Sequence, residues 1–308
     1  MKDILVALDL GASKTKLVQT QLGYILNEPS FVVYDKEKVF GNKATEKIAS
    51  FNSFSSIINN LDIQNENDFI EYILYLFDKC EIEGYIKNVF VATNNASNVN
   101  QLSKIEKCLI ECDAIKVKFI NSALCAYNYL KKDNSTRLIV DIGASKTDIT
   151  LVKNDVIING INLNIGCNTL DKKIIDYCSQ YYSIVITPVM AENIRKNIAS
   201  LDSSINNSYS FYGISVNGNK FAKNNISTID IKNLIENFYL YIYTAIETLL
   251  NMCDIAVLDE IKENGVDFIG GGSLIKGLCK FFGNKFDIQC NTYSNATDII
   301  ALGLENYV

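Results

Sequence analysis

The sequence predicts an α/β protein of two domains built by internal duplication, and three observations carry that prediction. The stretch VALDLGASKTKLV (6–18) returns as IVDIGASKTDITLV (139–152), with Asp9 and Asp141 in matching places. Each copy is followed by further strand-like runs and then by alternating helical and strand-like segments, the pattern of duplicated α/β halves. At 308 residues the chain also exceeds the usual size of a single domain.

Taken in order, residues 4–10 alternate, turn at Gly11 and resume over 14–19, which predicts a hairpin. YILNEPSFVVYD and KVFG, within 24–40, read as short strands around Pro29, and 43–50 as a helical turn or two. The Asn- and Ser-rich stretch 51–67 has weak periodicity and reads as loop. Phe69, Ile70, Ile73, Leu74 and Phe77 fall at helical spacing over 68–79. Strands at 88–93 and 116–120 alternate with helices at 100–112 and 122–131. The second copy opens the second half as a hairpin at 137–152, with a strand at 155–163 and a helix over CNTLDKKIIDYCSQYY. A helix at 188–199 and polar hairpin material at 205–225 follow. The long helix 230–253 has Leu234, Phe238, Ile242, Ala245 and Leu249 as its core stripe, its tyrosines serving packing. GVDFIGGGSLIKGL predicts strand, glycine turn and helix, and DIIALGLENYV a last helix.

Composition removes several classes of function. Hydrophobic residues make up 48% and charged residues 21%, which is globular composition. The net charge is −6 and no basic block occurs, so nucleic acid is not an expected partner. The nine cysteines form no C-x-x-C pair and histidine is absent, so the cysteines read as small buried hydrophobes in a reducing compartment. No signal peptide or membrane-length apolar run is read, and a cytoplasmic protein is expected.

The repeated hairpin carries the chemistry. An aspartate at a strand end followed by a tight turn sets a carboxylate beside exposed backbone N–H groups. Those groups, with the hydroxyls of Ser13, Thr15, Ser145 and Thr147, suit phosphate oxygens. Asp9 and Asp141 suit Mg²⁺ through its retained waters. Gly11 and Gly143 form the turns, while Lys14 and Lys146 set cations beside the phosphates; a solvated turn lysine is the alternative. Gly270, Gly271 and Gly272 let a flat base or its phosphates approach the backbone. A single D-x-G-x-x-x-T is also a plain tight hairpin, and GASKT lacks the first glycine of a Walker A loop. The three motifs in this order are more specific than any one.

In that order they resemble the phosphate-1, phosphate-2 and adenosine motifs of the actin/Hsp70/hexokinase superfamily, and within it MreB, the bacterial actin homologues. GYILNEPSFVVYD with GNKATEKI, NLNIGCNTLDKKIIDYCSQYYSIVITPVMAENIRKNIAS, FIGGGSLIKGL and DIIALGLENY resemble the family's successive segments, least convincingly over 51–70. The resemblance implies an actin-like fold with domain I over 1–132 and domain II over 133–308, flanking a nucleotide cleft. Small subdomains are expected at about 22–60 and 168–230. It implies ATP or ADP with Mg²⁺ as ligands, Gly166 and Arg195 on the ribose side, and a homopolymer filament concerned with cell shape or cell-wall organisation.

The departures bear on catalysis. FINSALCAY aligns with the family's I-E-E-P segment, so Asn121 and Ser122 replace both glutamates and Ala123 the proline. Asn cannot take a proton from water, so Asn121 and Thr147 remain as water-positioning candidates and hydrolysis is expected to be slow or absent. Ala144 and Ser145 replace glycines of the second loop, and Asn168 and Asn197 stand where the family has acids. Alternatives are a pseudo-actin scaffold without productive nucleotide binding and a small-molecule kinase of the same superfamily. Ile82, Tyr85 and Ile86 in EIEGYIKN (81–88) are candidates for contact with the inner membrane surface, opposed by Glu81 and Glu83.

Overall fold

The computed structural model describes residues 3–19, 24–48, 54–82, 85–131, 135–218 and 220–307. The first half runs β1 (Asp3–Leu10), β2 (Lys14–Gln19), β3 (Tyr24–Pro29), β4 (Phe31–Tyr34), β5 (Lys38–Phe40), α1 (Gly41–Ile48), β6 (Phe54–Ser56), β7 (Ile58–Asn59), β8 (Asp62–Ile63), α2 (Glu66–Lys79), β9 (Ile86–Thr93), α3 (Val99–Glu111), β10 (Ala114–Asn121) and α4 (Ser122–Leu130). The second runs β11 (Arg137–Ile142), β12 (Thr147–Lys153), β13 (Val156–Leu163), α5 (Cys167–Tyr182), β14 (Ile184–Val185), α6 (Pro188–Ile198), β15 (Ser208–Ser215), β16 (Phe221–Ser227), α7 (Thr228–Leu250), α8 (Ile255–Asn264), β17 (Val266–Ile269), α9 (Leu278–Phe286), β18 (Cys290–Thr292) and α10 (Ile299–Glu305).

The duplication is visible in the two five-stranded sheets. One has the order β3-β2-β1-β9-β10, the other β13-β12-β11-β17-β18. In the first, β1 pairs antiparallel with β2 and parallel with β9; in the second, β11 pairs parallel with β17. Each sheet therefore sets a repeated strand at its centre, with an aspartate near that strand's end. The chain divides into two compact units, one of residues 1–135, 150–162 and 297–308, the other of 136–149 and 163–296, so the division falls inside β12.

Burial follows from the pattern. Val6 and Leu8 of β1 enter one core cluster with Phe69, Ile73 and Leu76 of α2. Ala7, on the opposite face of β1, joins a second cluster with Cys125, Ala301 and Leu304. A central strand covered on both faces needs an unbroken apolar run, as VALDL nearly is. Arg137 of β11 and Asp267 of β17 pair inside the second unit at 3.2 Å, with Asn291 and Tyr293 also donating to Asp267.

Four expectations are corrected. The stretch read as loop over 51–67 carries the short strands β6, β7 and β8 within its described part, each too short to show alternation. The buried stripe of α7 includes Ile231, Ile235, Phe238, Ile242, Ile246 and Leu249, so Ile235 and Ile246 replace Leu234 and Ala245. The glycine turn after β17 enters a four-residue 3₁₀ turn, Gly271–Leu274, and α9 starts only at Leu278. Ile82 is 2% exposed and packed in the first unit's core below the end of α2, so it is not available to a membrane. Tyr85 is 38% exposed; Glu83 and Gly84 lie outside the described residues.

Candidate functional site

In the first unit the turn of β1–β2 is fastened from within. Gly11 N–H donates to Asp9 O at 3.1 Å, and a Cβ on Gly11 would lie 2.5 Å from Lys14 O, so the turn requires glycine. Ser30, just past β3, donates its hydroxyl to Gly11 O at 2.7 Å and its N–H to Ser13 O at 2.9 Å. Thr15 is fully buried with its hydroxyl 3.0 Å from that of Ser30. Thr15 therefore braces the turn from inside, whereas Ser13 is half-buried and Lys14 exposed at the rim. Asp9 and Lys16 face each other across the hairpin, with Lys16 Nζ 3.3 Å from Asp9 Oδ2 and also donating to Thr297 O. Among the described residues no cluster of three side chains suited to hold a metal occurs.

In the second unit Gly143 N–H donates to Lys146 O at 2.9 Å and closes the β11–β12 turn. The first N–H groups of α5 then donate to the turn: Cys167 to Gly143 O at 3.0 Å, and Asn168 to Ala144 O at 2.8 Å. Gly166, at the N-cap, leaves no room for a side chain, because its Cβ would sit 2.5 Å from Ala144 O and 2.7 Å from Lys146 N. Gly166→Ala is expected to cost about 1–3 kcal/mol, since only backbone can yield. A urea midpoint equal to that of the unmodified protein would show this packing to be wrong. Ala144 and Ser145 take no left-handed dihedrals, so their replacing glycines of the second loop carries no backbone strain. Thr147 is fully buried and donates to Ile165 O at 3.0 Å, bracing this turn as Thr15 braces the first.

Beside Asp141 stands the glycine turn, because Asp141 pairs with Ile269 in the β11–β17 register. Gly270 has φ +78° and its Cβ would meet Asp141 Oδ1 at 2.3 Å, so both backbone and space demand glycine. A Cβ on Gly272 would strike Ile142 Cγ2 at 2.2 Å, whereas Gly271 faces open space. Tyr239 of α7 donates its hydroxyl to Gly272 O at 2.6 Å and pins the turn from below.

Two of the expected site residues, Arg195 from the ribose side and Asn121 as a water-positioning candidate, make contacts within the chain. Arg195 forms a two-pronged pair with Asp171, Nε to Oδ1 at 2.6 Å and Nη2 to Oδ2 at 3.2 Å, tying α6 to α5. Asn121 is the N-cap of α4: its Oδ1 accepts from Ala123 N–H at 2.9 Å and its Nδ2 donates to Asn95 Oδ1 at 2.6 Å. Sequence reasoning missed Lys16, Ser30, Asp148 and Asp171. A signal for two of them was present. Lys16 and Asp148 each follow an aspartate by seven residues, and there the repeats D-x-G-A-S-K-T-K and D-x-G-A-S-K-T-D differ in sign.

A family model described as MreB/Mbl protein matches residues 3–308. The chain belongs to the MreB/Mbl family. The cell shape-determining protein Mbl of Bacillus subtilis is 22% identical over 97% of this chain and 93% of its own length. The cell shape-determining protein MreB of Haemophilus influenzae is 23% identical over 89% of this chain and 84% of its own. Among solved structures, MreB5 of Spiroplasma citri bound to ADP superposes with a TM-score of 0.92 at 21% identity, covering 99% of this chain and 96% of that one. A MamK double helical filament gives 0.83 at 20% identity, covering 99% and 98%. The fold of this MreB/Mbl-family chain is actin-like. No helix among its described residues is long and apolar enough to cross a membrane.

Proposed function

We propose that this MreB/Mbl-family chain binds ATP or ADP with its two acidic hairpins and glycine turn, polymerises with its own copies into filaments that organise cell shape, and hydrolyses nucleotide slowly. The carrying observation is the repeated turn, rigidly fastened in each unit, with a carboxylate before it and backbone N–H groups, Ser13, Ser145 and the two lysines around it. Gly271, the glycine with open space, offers the backbone face for a base or its phosphates. Relatives that determine cell shape, a neighbour bound to ADP and a neighbour solved as a filament support the reading.

A hydrated Mg²⁺ fits these residues better than a metal caged by protein. One carboxylate per hairpin would hold it through waters, and Lys16 already balances part of the charge of Asp9. It would neutralise phosphate charge when bound. With Asn121 committed to its cap, the general-base contribution of the family's glutamate, roughly 10²- to 10⁴-fold, is missing. Sedimentation with and without ATP, alongside phosphate release, tests the proposal. Pelleting that needs nucleotide but not its hydrolysis is expected. Phosphate release within the ordinary enzyme range of about 1–10³ per second would refute slow turnover, and pelleting indifferent to nucleotide would favour a pseudo-actin scaffold.

Membrane contact through 81–88 retains Tyr85 as its exposed anchor with a described side chain. Tyr85→Ser is expected to leave co-sedimentation with anionic liposomes unchanged; a loss of co-sedimentation would restore that surface as a contact.

A further inference from the structure

Lys16 of β2 is only 8% exposed, although its neighbours along the same face of the sheet are apolar. Cross-strand register sets Asp9 of β1 on one side of it and Asn27 of β3 on the other, so the three side chains share that face. The next row, Ala7, Val18 and Ile25, packs in the cluster that includes Ala301 and Leu304 of α10. A buried ammonium needs acceptors for its three N–H groups. Lys16 Nζ lies 3.3 Å from Asp9 Oδ2 and donates to Thr297 O, just ahead of α10. On the strand beside it, Asn27 Oδ1 is buried without a hydrogen-bond partner.

A carboxylate, a main-chain carbonyl and an amide oxygen are the kind of ligand set that suits a hard metal cation. Here a lysine ammonium stands among them. A buried ion pair is seldom kept for stability, because apolar side chains of like volume serve as well or better. The feature belongs to the first repeat alone. In the second, the matching position seven residues after the aspartate is Asp148, an acid.

We infer that the Lys16 ammonium is the resident cation of the first hairpin, filling the place beside Asp9 Oδ2 that a directly coordinated divalent cation would take. The chain thus carries both a cation site and its occupant. With the lysine in place, Asp9 meets a metal only through that metal's own waters, and the hairpin alone takes none from solution. With the ammonium removed, the oxygens of Asp9, Thr297 and Asn27 are open to a divalent cation. All four residues belong to the first unit, and the inference does not depend on nucleotide.

The test uses the full chain without nucleotide and Mg²⁺ alone, with melting followed by circular dichroism at matched ionic strength. Lys16→Ala is expected to melt below the unmodified protein in sodium chloride and to regain about 3 °C or more in millimolar Mg²⁺. The unmodified protein is expected to shift by less than about 1 °C on the same addition. Adding Asp9→Asn to Lys16→Ala is expected to abolish the Mg²⁺ shift. No Mg²⁺ shift in Lys16→Ala, or one no larger than that of the unmodified protein, overturns the inference. A shift that survives Asp9→Asn overturns it too, because the metal then sits elsewhere. Should Lys16→Ala fail to fold, the same comparison is made with Lys16→Ser, and the same results have the same meaning. A failure of ADP to bind the unmodified chain would overturn the nucleotide reading and leave this inference standing.

Discussion

Gly303→Val is expected to destabilise the chain by at least about 3 kcal/mol, lowering its melting temperature by about 6–12 °C. Gly303 lies in α10, and a Cβ there would sit 1.9 Å from Cys125 O and 2.5 Å from Cys125 C, the backbone of α4. Neither atom can turn aside as a side-chain end would. The helices meet in the cluster that includes Ala7, Val18, Cys125, Ala301 and Leu304, so separating them opens buried apolar surface as well. The helix-propensity gain on removing glycine, about 1 kcal/mol at most, is too small to offset this. Circular-dichroism melting reads the effect. A variant that melts with the unmodified protein would mean that α10 does not pack on α4 as described.

Arg195→Ala is expected to cost about 3–5 kcal/mol at pH 7.5, because it leaves Asp171 buried without its partner. Burial raises the pKa of Asp171 in the folded chain, and Arg195 is the main opposing influence. A raised folded pKa means that the folded state holds the proton over a window in which the unfolded state has released it. Stability therefore falls as pH rises from the unfolded value, about 3.9, through the folded one. Removing Arg195 raises the folded value further and widens that window. The deficit of the variant is thus largest at neutral pH and shrinks on acidification. Urea unfolding at pH 7.5 and pH 5.5 tests the sign, and a deficit that grows in acid would contradict it. Replacing both partners, Asp171→Leu with Arg195→Met, is expected to recover most of the loss.

What could be read from the residues follows from how local each signal is. The paired hairpins were legible because motif, turn and alternation all fall within about a dozen positions, and the sheet orders repeat as the motif repeats. The glycines at 270–272 were legible as a turn, but only the structure separates Gly270 and Gly272, required by packing, from Gly271, which faces open space. Arg195 read as a ligand contact because nothing in spacing reveals that α5 and α6 bring Asp171 against it. Ile82 reads as a candidate surface contact from its place in the loop between a helix and a strand, with Glu81 and Glu83 opposing it, yet the chain turns there under α2 and closes the core. The stripe of α7 was misplaced because Ile231, Leu234, Ile235 and Phe238 satisfy two overlapping helical registers, and only the packed partners choose between them. Asn121 was read for its missing charge, whereas its local use, capping α4, is the ordinary preference of asparagine before a helix.

Nucleotide binding by the repeated hairpin, as proposed above, is open to direct measurement. Titration of fluorescent ADP into the unmodified chain and into Asp141→Ala, with and without Mg²⁺, measures it. Saturable binding of about one nucleotide per chain, strengthened by Mg²⁺ and weakened at least about tenfold in Asp141→Ala, is the predicted result. Saturable binding that is indifferent to both Mg²⁺ and Asp141, or no saturable binding at all, would contradict it.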